Sequence, residues 1–247
     1  MHKKFPFAMI LTVLSLWLAA CGGGGIEPTS PPAGGSGVTP PPAVLSLDPA
    51  NTAGENGKAA AAYLYEGLVS MKDGQITGVL AESYSVSDDG LDYIFNLRPG
   101  VSFHDGEPLD ADAVIANFTR WYDPASPLRG DGSYAAWVAA FNGFKGETAE
   151  DGKAKSQNDG IEKTNDLTVL VHLNSPDPEF LQKISDPAFS IVSPAVLAQG
   201  GEDGGTNKYK SAGIQDGKLT LEPFAGYWDP AAIPSEGMEV SFDKGDY

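Results

Sequence analysis

The chain has 247 residues, with 16 Lys and Arg against 33 Asp and Glu, a formal net charge of −17 and 41% apolar residues. Its length and apolar share suffice for one large or two small domains, while its charge opposes binding to nucleic-acid phosphates or anionic lipid headgroups. Three histidines and one cysteine give no zinc-ligand set, no Ser-His-Asp or Cys-His constellation and no internal disulfide.

His2-Lys3-Lys4 is a basic n-region, Phe7 to Leu18 an apolar stretch too short to span a bilayer, and Leu18-Ala19-Ala20 places small residues ahead of Cys21. This is the lipoprotein signal pattern. Residues 1–20 are expected to be removed, leaving Cys21 as the lipid-bearing N-terminus. Residues 21–43 form a Gly, Pro and Ser tract that cannot bury a core and reads as a tether. The folded part is expected over residues 44–247.

A short strand is expected at Val44–Leu47, followed by Asp48-Pro49, a polar loop from Asn51 to Gly57 and a helix from Lys58 to Leu68. Asp73-Gly74 predicts a hairpin between Val69–Met71 and Gln75–Thr77, and Ser87-Asp88-Asp89-Gly90 predicts another between Ser83–Val86 and Asp92–Leu97. Tyr93, Phe95 and Leu97 alternate with a mixed face. Asp110 or Asp112 caps a helix carrying Val114, Ile115, Phe118, Trp121 and Tyr122 at helical spacing, and Asp123-Pro124 stops it.

A second helix is expected over Tyr134–Phe144, with Trp137, Val138 and Phe141 on one side. After a surface loop from Glu147 to Gly160, a hairpin joins Gly160–Thr164 to Leu167–Leu173 over Asn165-Asp166. Pro176 and Pro178 open a short helix through Phe180, Leu181 and Ile184; Phe189–Val192 reads as a buried strand and Pro194–Gln199 as a helical turn. Strands at Lys218–Pro223 and Met238–Phe242 flank Tyr227-Trp228. Trp121, Trp137 and Trp228 are expected in the core.

Of the two histidines past the signal segment, His104 is expected to order the turn Phe103–Gly106, and His172 to sit on a strand at a packing or solvent edge. The carboxylates gather in turns and match no calcium loop, and no Gly-x-x-x-x-Gly-Lys loop is present. No catalytic residue, metal site or cofactor is expected.

The stretches LAES, SDDGLDYIFNLRPGVSFHDGEP and DAVIANF, with Tyr65-Glu66-Gly67-Leu68 upstream and Tyr227-Trp228 downstream, resemble the family 5 solute-binding proteins, the extracytoplasmic receptors of oligopeptide, dipeptide and nickel ABC importers. The resemblance runs from about Leu47 to about Val240. It implies an α/β fold of the type II periplasmic-binding-protein-like kind, with most of lobe I only. The second lobe, which in the family follows the strand that here ends near Phe242, is expected to be missing from this sequence, either because it is a fragment of a full receptor or because it is a one-lobed derivative. A site built from one lobe leaves much of a ligand in water.

The implied function is that of an extracytoplasmic substrate-binding lipoprotein of an ABC importer, held at the cell envelope by its lipid anchor. Its implied partners are a small peptide or similar solute and the permease subunits, with no nucleic acid and no reaction of its own. In the resembling receptors the loop after Asp48-Pro49 and the Gly-Thr segment face the cleft, which nominates Asn51, Thr52, Glu55 and Tyr209 for ligand contact. Relatives carry Gly-Thr-Gly-Pro-aromatic where this chain has Gly205-Thr206-Asn207-Lys208-Tyr209. A reading from another class is a single-lobe surface interaction module, or a non-functional remnant without a transport role.

Overall fold

The computed structural model describes residues 47–52, 55–201 and 203–242. The expected signal segment, Cys21, the tether and Val44–Ser46 lie outside them. Among the described residues no helix is long and apolar enough to cross a membrane.

The largest sheet follows from the two predicted hairpins. β3 (Ala81–Val86) pairs with β4 (Asp92–Leu97), β4 with β6 (Thr168–Leu173), and β6 with β5 (Asn158–Asn165), all antiparallel, in the order β3-β4-β6-β5. Asp89 closes the first turn by accepting from Ser87 Oγ and from the Leu91 amide. Because strand side chains alternate, Tyr93, Phe95 and Leu97 bury on the same face as Val169, Val171 and Leu173. Helix α2 (Ala111–Tyr122) packs on β5 and β6. Asp110 is its N-cap, accepting from the Ala113 amide at 2.9 Å, and Asp123 ends it.

Helix α3 (Ala135–Phe141) adds Trp137 and Phe141 to an aromatic group with Trp121 and Phe189, the Trp137 and Phe141 rings 4.5 Å apart and the Trp121 and Phe189 rings 5.4 Å. The short helix α4 (Phe180–Ile184) closes this core by setting Phe180 against Tyr93. Helix α1 (Glu55–Leu64) and the sheet β7-β8-β9 (Tyr209–Gln215, Lys218–Pro223, Met238–Ser241) share a second core of Leu47, Leu64, Tyr65, Leu219, Leu221 and Phe242. The hairpin of β1 (Val69–Lys72) and β2 (Gln75–Gly78) stands between α1 and β3 in the chain, and α5 (Pro194–Ala198) follows the buried Ile191-Val192.

Several expectations are corrected by the structure. The first helix starts at Glu55 and ends at Leu64 rather than running from Lys58 to Leu68. Its last carbonyls are taken by a distant residue: Asn207 donates its amide to Leu64 O and its Nδ2 to Ala62 O, so the helix is capped in trans. Phe189–Val192 is buried but is not a strand; Pro187–Phe189 is a 3-10 turn, and Ile191 bridges Glu66 alone. The reason lies in α2, where the fully buried Asn117 accepts from the Val192 amide and donates to its carbonyl, doing what a partner strand would. Val138 is exposed, since only positions four apart, Trp137 and Phe141, share the inner face of α3. β7 forms without a local pattern to announce it, since its mostly exposed YKSAGIQ carries no alternation.

His172 lies directly across the β4–β6 ladder from Asp92, with Nδ1 2.5 Å from the carboxylate. The Asp92 hydrogen bond holds its pKa above the ordinary 6.5 against partial burial, and the charges of Asp92, Asp159 and Asp89 add to this. The pair's stabilisation is therefore complete below about 6.5 and is lost as pH rises through the raised folded value. Because the pair touches water, its contribution is small and salt-sensitive. Asp92→Asn is expected to lower the His172 titration midpoint, read from its ring proton shifts by NMR; an unmoved midpoint contradicts the pairing.

Candidate functional site: a cleft edged by the loop after Asp48

Residues 48–52 are held from below by one buried cation. Arg120 on α2 has no solvent exposure, and it grips both oxygens of Asp48, Nη1 to Oδ2 at 2.8 Å and Nη2 to Oδ1 at 2.9 Å. Its Nε donates to Asn117 Oδ1 and its Nη1 also reaches the Tyr134 hydroxyl. Burial would raise the Asp48 pKa, but the Arg120 hydrogen bonds and charge, with donors from Asn51 and the Ala50 amide, outweigh it and hold it below the usual carboxylate range. Burial likewise opposes the charge on Arg120, and Asp48 more than restores it.

From that anchor Asp48 shapes the loop. Its carbonyl accepts from the Asn51 amide and from Thr52 Oγ1 at 2.6 Å, and its carboxylate from Asn51 Nδ2 at 3.0 Å. Asn51 Oδ1 then accepts from the Tyr134 amide at 3.4 Å. Tyr134 is a bulky residue at φ 51°, a left-handed conformation that costs strain outside glycine. Its hydroxyl secures it by donating to Arg129 O, and the Arg129 guanidinium stacks 4.2 Å from its ring. Gly132 has no room for a side chain: a Cβ there would stand 2.1 Å from Asn51 Oδ1.

Two clefts flank Asn51. One, of about 550 Å³, is lined by Asn51, Thr52, Lys58, Ser133, Asp186 and small apolar residues of α1 and α3. The other, of about 340 Å³, lies between Asn51, the 127–132 loop and Gly200-Gly201. Of the residues nominated by sequence, Asn51 lines both clefts and Thr52 the larger. Glu55 opens α1, and of it the structure describes the backbone alone. Tyr209 does not line these clefts; at the start of β7 its ring meets Tyr63 edge-on at 6.2 Å. Lys58 and Ser133, which sequence reasoning passed over, join the cleft only through the fold.

A second polar centre ties the Gly205–Tyr209 loop down. Glu66, largely buried, accepts from Tyr227 OH at 2.8 Å, Thr206 Oγ1 at 3.0 Å and Trp228 Nε1 at 3.2 Å. Burial raises its pKa above 4.5, and the three donors with the nearby His104 offset only part of this. Burial and the Glu66 charge push the Tyr227 hydroxyl well above its ordinary value. Trp228, expected in the core, is partly buried and lies under the Arg98 guanidinium, 4.1 Å from the ring centre. Among the described residues no group of His, Cys, Asp and Glu is placed to hold a metal.

Comparison with known proteins finds relatives in both sequence and fold. The family model described as bacterial extracellular solute-binding proteins, family 5 Middle, matches residues 75–244. The glutathione-binding protein GsiB of Pectobacterium atrosepticum is 32% identical over 234 residues, which is 91% of this chain and 41% of that protein. Among solved structures, the periplasmic binding protein DppA from Helicobacter pylori, in complex with the peptide STSA, is 27% identical at a TM-score of 0.65 over 79% of this chain and 40% of its own. NikA from Brucella suis, in complex with Fe(III)-EDTA, is 28% identical at a TM-score of 0.61 over 80% of this chain and 37% of its own. The chain thus spans about two-fifths of the length of these relatives, and its α/β fold is that of the corresponding part of periplasmic binding proteins. With the family model covering more than half of its residues, the chain belongs to the bacterial extracellular solute-binding proteins of family 5.

Proposed function

We propose that the protein is the substrate-binding component of an ABC importer and captures a short peptide or a peptide-like solute along the edge formed by Asn51 and Thr52. The observation that carries this reading is the 48–52 loop, fixed by a buried ion pair so that polar side chains stand ready at an open cleft. Such preorganisation lowers the ordering cost of binding. Lys58 and Asp186 on the same cleft supply one charge of each sign, which suits a zwitterionic ligand. Relatives named for binding glutathione and a peptide support the choice of cargo. Tyr209 contributes on this reading by buttressing α1 through Tyr63.

The lipoprotein pattern ending at Cys21 supports export and lipid anchoring, with residues 21–43 as tether and residues 44–247 as binding domain. Permease subunits are the partners this function requires. It calls for no chemistry, in keeping with relatives that are named as binding proteins.

Thermal melts of the chain from Val44 onward, with a panel of di- to tetrapeptides, glutathione and nickel chelates, test the reading. A ligand selective for the folded state stabilises by about 2.7 kcal/mol at a hundredfold excess over Kd. A cooperative melt that no panel member shifts favours the interaction module, and a non-cooperative melt with dye-binding apolar surface favours the remnant.

A further inference from the structure

His104 was expected to order its own turn, but the turn does not need it. Asp105 takes the Glu107 amide, and the Phe103 backbone pairs with Glu107 and Gly106. The His104 ring, about 1% exposed, instead reaches across the fold to residues 203–207. Nδ1 lies 2.8 Å from Asp203 Oδ1, and Nε2 lies 2.8 Å from the backbone carbonyl of Asn207. The edge of Phe224 closes over the ring at 4.9 Å.

The two partners decide the protonation. A carbonyl oxygen only accepts, so Nε2 carries a proton. An ionised carboxylate also only accepts, so Nδ1 carries one too. The neutral Nε2–H tautomer would aim the Nδ1 lone pair at a carboxylate oxygen 2.8 Å away, an arrangement with no hydrogen bond and an unfavourable charge contact. We infer that His104 is a buried imidazolium whose two N–H groups position the Gly205–Tyr209 loop.

What this cation holds is more than a turn. The His104 amide donates to Gly205 O, and a Cβ on Gly205 would stand 1.8 Å from Leu64 O and 3.1 Å from the His104 ring, so the loop is threaded between the histidine and the end of α1. The next residues, Thr206 and Asn207, reach Glu66 and the last carbonyls of α1. Asp203 and Glu66 are the anions facing the ring, and the adjoining Asp105 is taken up by Ser193 Oγ at 2.5 Å. One charged ring thus fixes the Gly205–Lys208 loop, together with Tyr209 beyond it. Only the consequence at Tyr209 for ligand capture rests on the function proposed above.

The test is a ring-nitrogen NMR spectrum of the histidine-labelled full chain at neutral pH, with His104 assigned by its loss in His104→Gln. The expected spectrum shows both ring nitrogens protonated. Asp203→Asn should convert the ring to the neutral Nε2–H form, because an amide can turn its NH2 to a bare Nδ1. In His104→Gln, exchange of the Asn207 amide is expected to speed up by about tenfold or more, since a side-chain amide cannot donate in both directions. A wild-type ring with a bare Nδ1 overturns the inference, as does an unchanged spectrum in Asp203→Asn. These readouts need no ligand, so a chain that binds no peptide but shows the doubly protonated ring refutes the proposed function and leaves the imidazolium standing.

Discussion

Arg120→Met is expected to lower stability by about 3–5 kcal/mol, because it strands the Asp48 carboxylate, which is only 21% exposed, without its cation. The loss should be largely recovered in the double variant Arg120→Met with Asp48→Leu, where no lone charge remains. Denaturant titration of the three proteins with a common slope measures it. The pH dependence has a defined sign. The Asp48 pKa is held below its ordinary 3.8 in the folded chain, so the pair's contribution is present above about 3.8 and is lost as pH falls through the depressed value. Arg120→Met should remove that part of the acid sensitivity. A single variant as stable as the parent would mean that Asp48 is solvated and that the 48–52 loop is held by something else.

Glu66 gives the second large effect, and the contrast between two substitutions separates its roles. Glu66→Ala leaves the Thr206 hydroxyl, Tyr227 hydroxyl and Trp228 indole N–H without their acceptor. At about 1–3 kcal/mol for each buried group left unsatisfied, less what water recovers, the expected loss is about 3 kcal/mol or more. Glu66→Gln keeps an oxygen for Trp228 and Thr206 and can turn its NH2 to the Tyr227 oxygen, so a far smaller change is expected. Because the Glu66 pKa is raised, the wild-type carboxyl contributes stability fully present below 4.5 and lost as pH rises through its folded value. The stability of Glu66→Gln relative to wild type should therefore be most favourable near neutral pH and decline on acidification toward 4.5. Equal losses for the alanine and glutamine variants would show that the negative charge, rather than the acceptor, holds this centre.

Both effects come from residues whose importance is hidden in one dimension. Arg120 sits in the run Asn-Phe-Thr-Arg-Trp as an ordinary helical cation; nothing local announces that Asp48, 72 positions away, lies beneath it. Local pattern did fix much else. Asp110 as a cap, Asp89 in its turn and the alternation from Tyr93 to Leu97 and from Val169 to Leu173 each depend on neighbours within a few residues, and the structure has them where the spacing puts them. The departures arise where a distant side chain takes over backbone groups. Asn207 stops α1 four residues early, and Asn117 satisfies Val192 so that no strand forms.

The site divides the same way. Asn51 and Thr52 were nominated by family resemblance, and the fold sets them at a cleft whose other walls come from α1, α3 and residues 186–188. Tyr209 was nominated with them, yet Asn207 pins its loop to α1 and turns the tyrosine onto Tyr63. Asn207 thus has a structural use here, because it caps the end of α1.

The most direct test of peptide capture at this edge is a titration of the isotope-labelled chain with glutathione and with short peptides, followed by backbone amide shifts. Saturable changes are expected, concentrated at Asn51, Thr52, Lys58 and Ser133 to Ala136, at ligand concentrations of about millimolar or below. Saturable changes confined to other surfaces, or none at those residues across the panel, would contradict it.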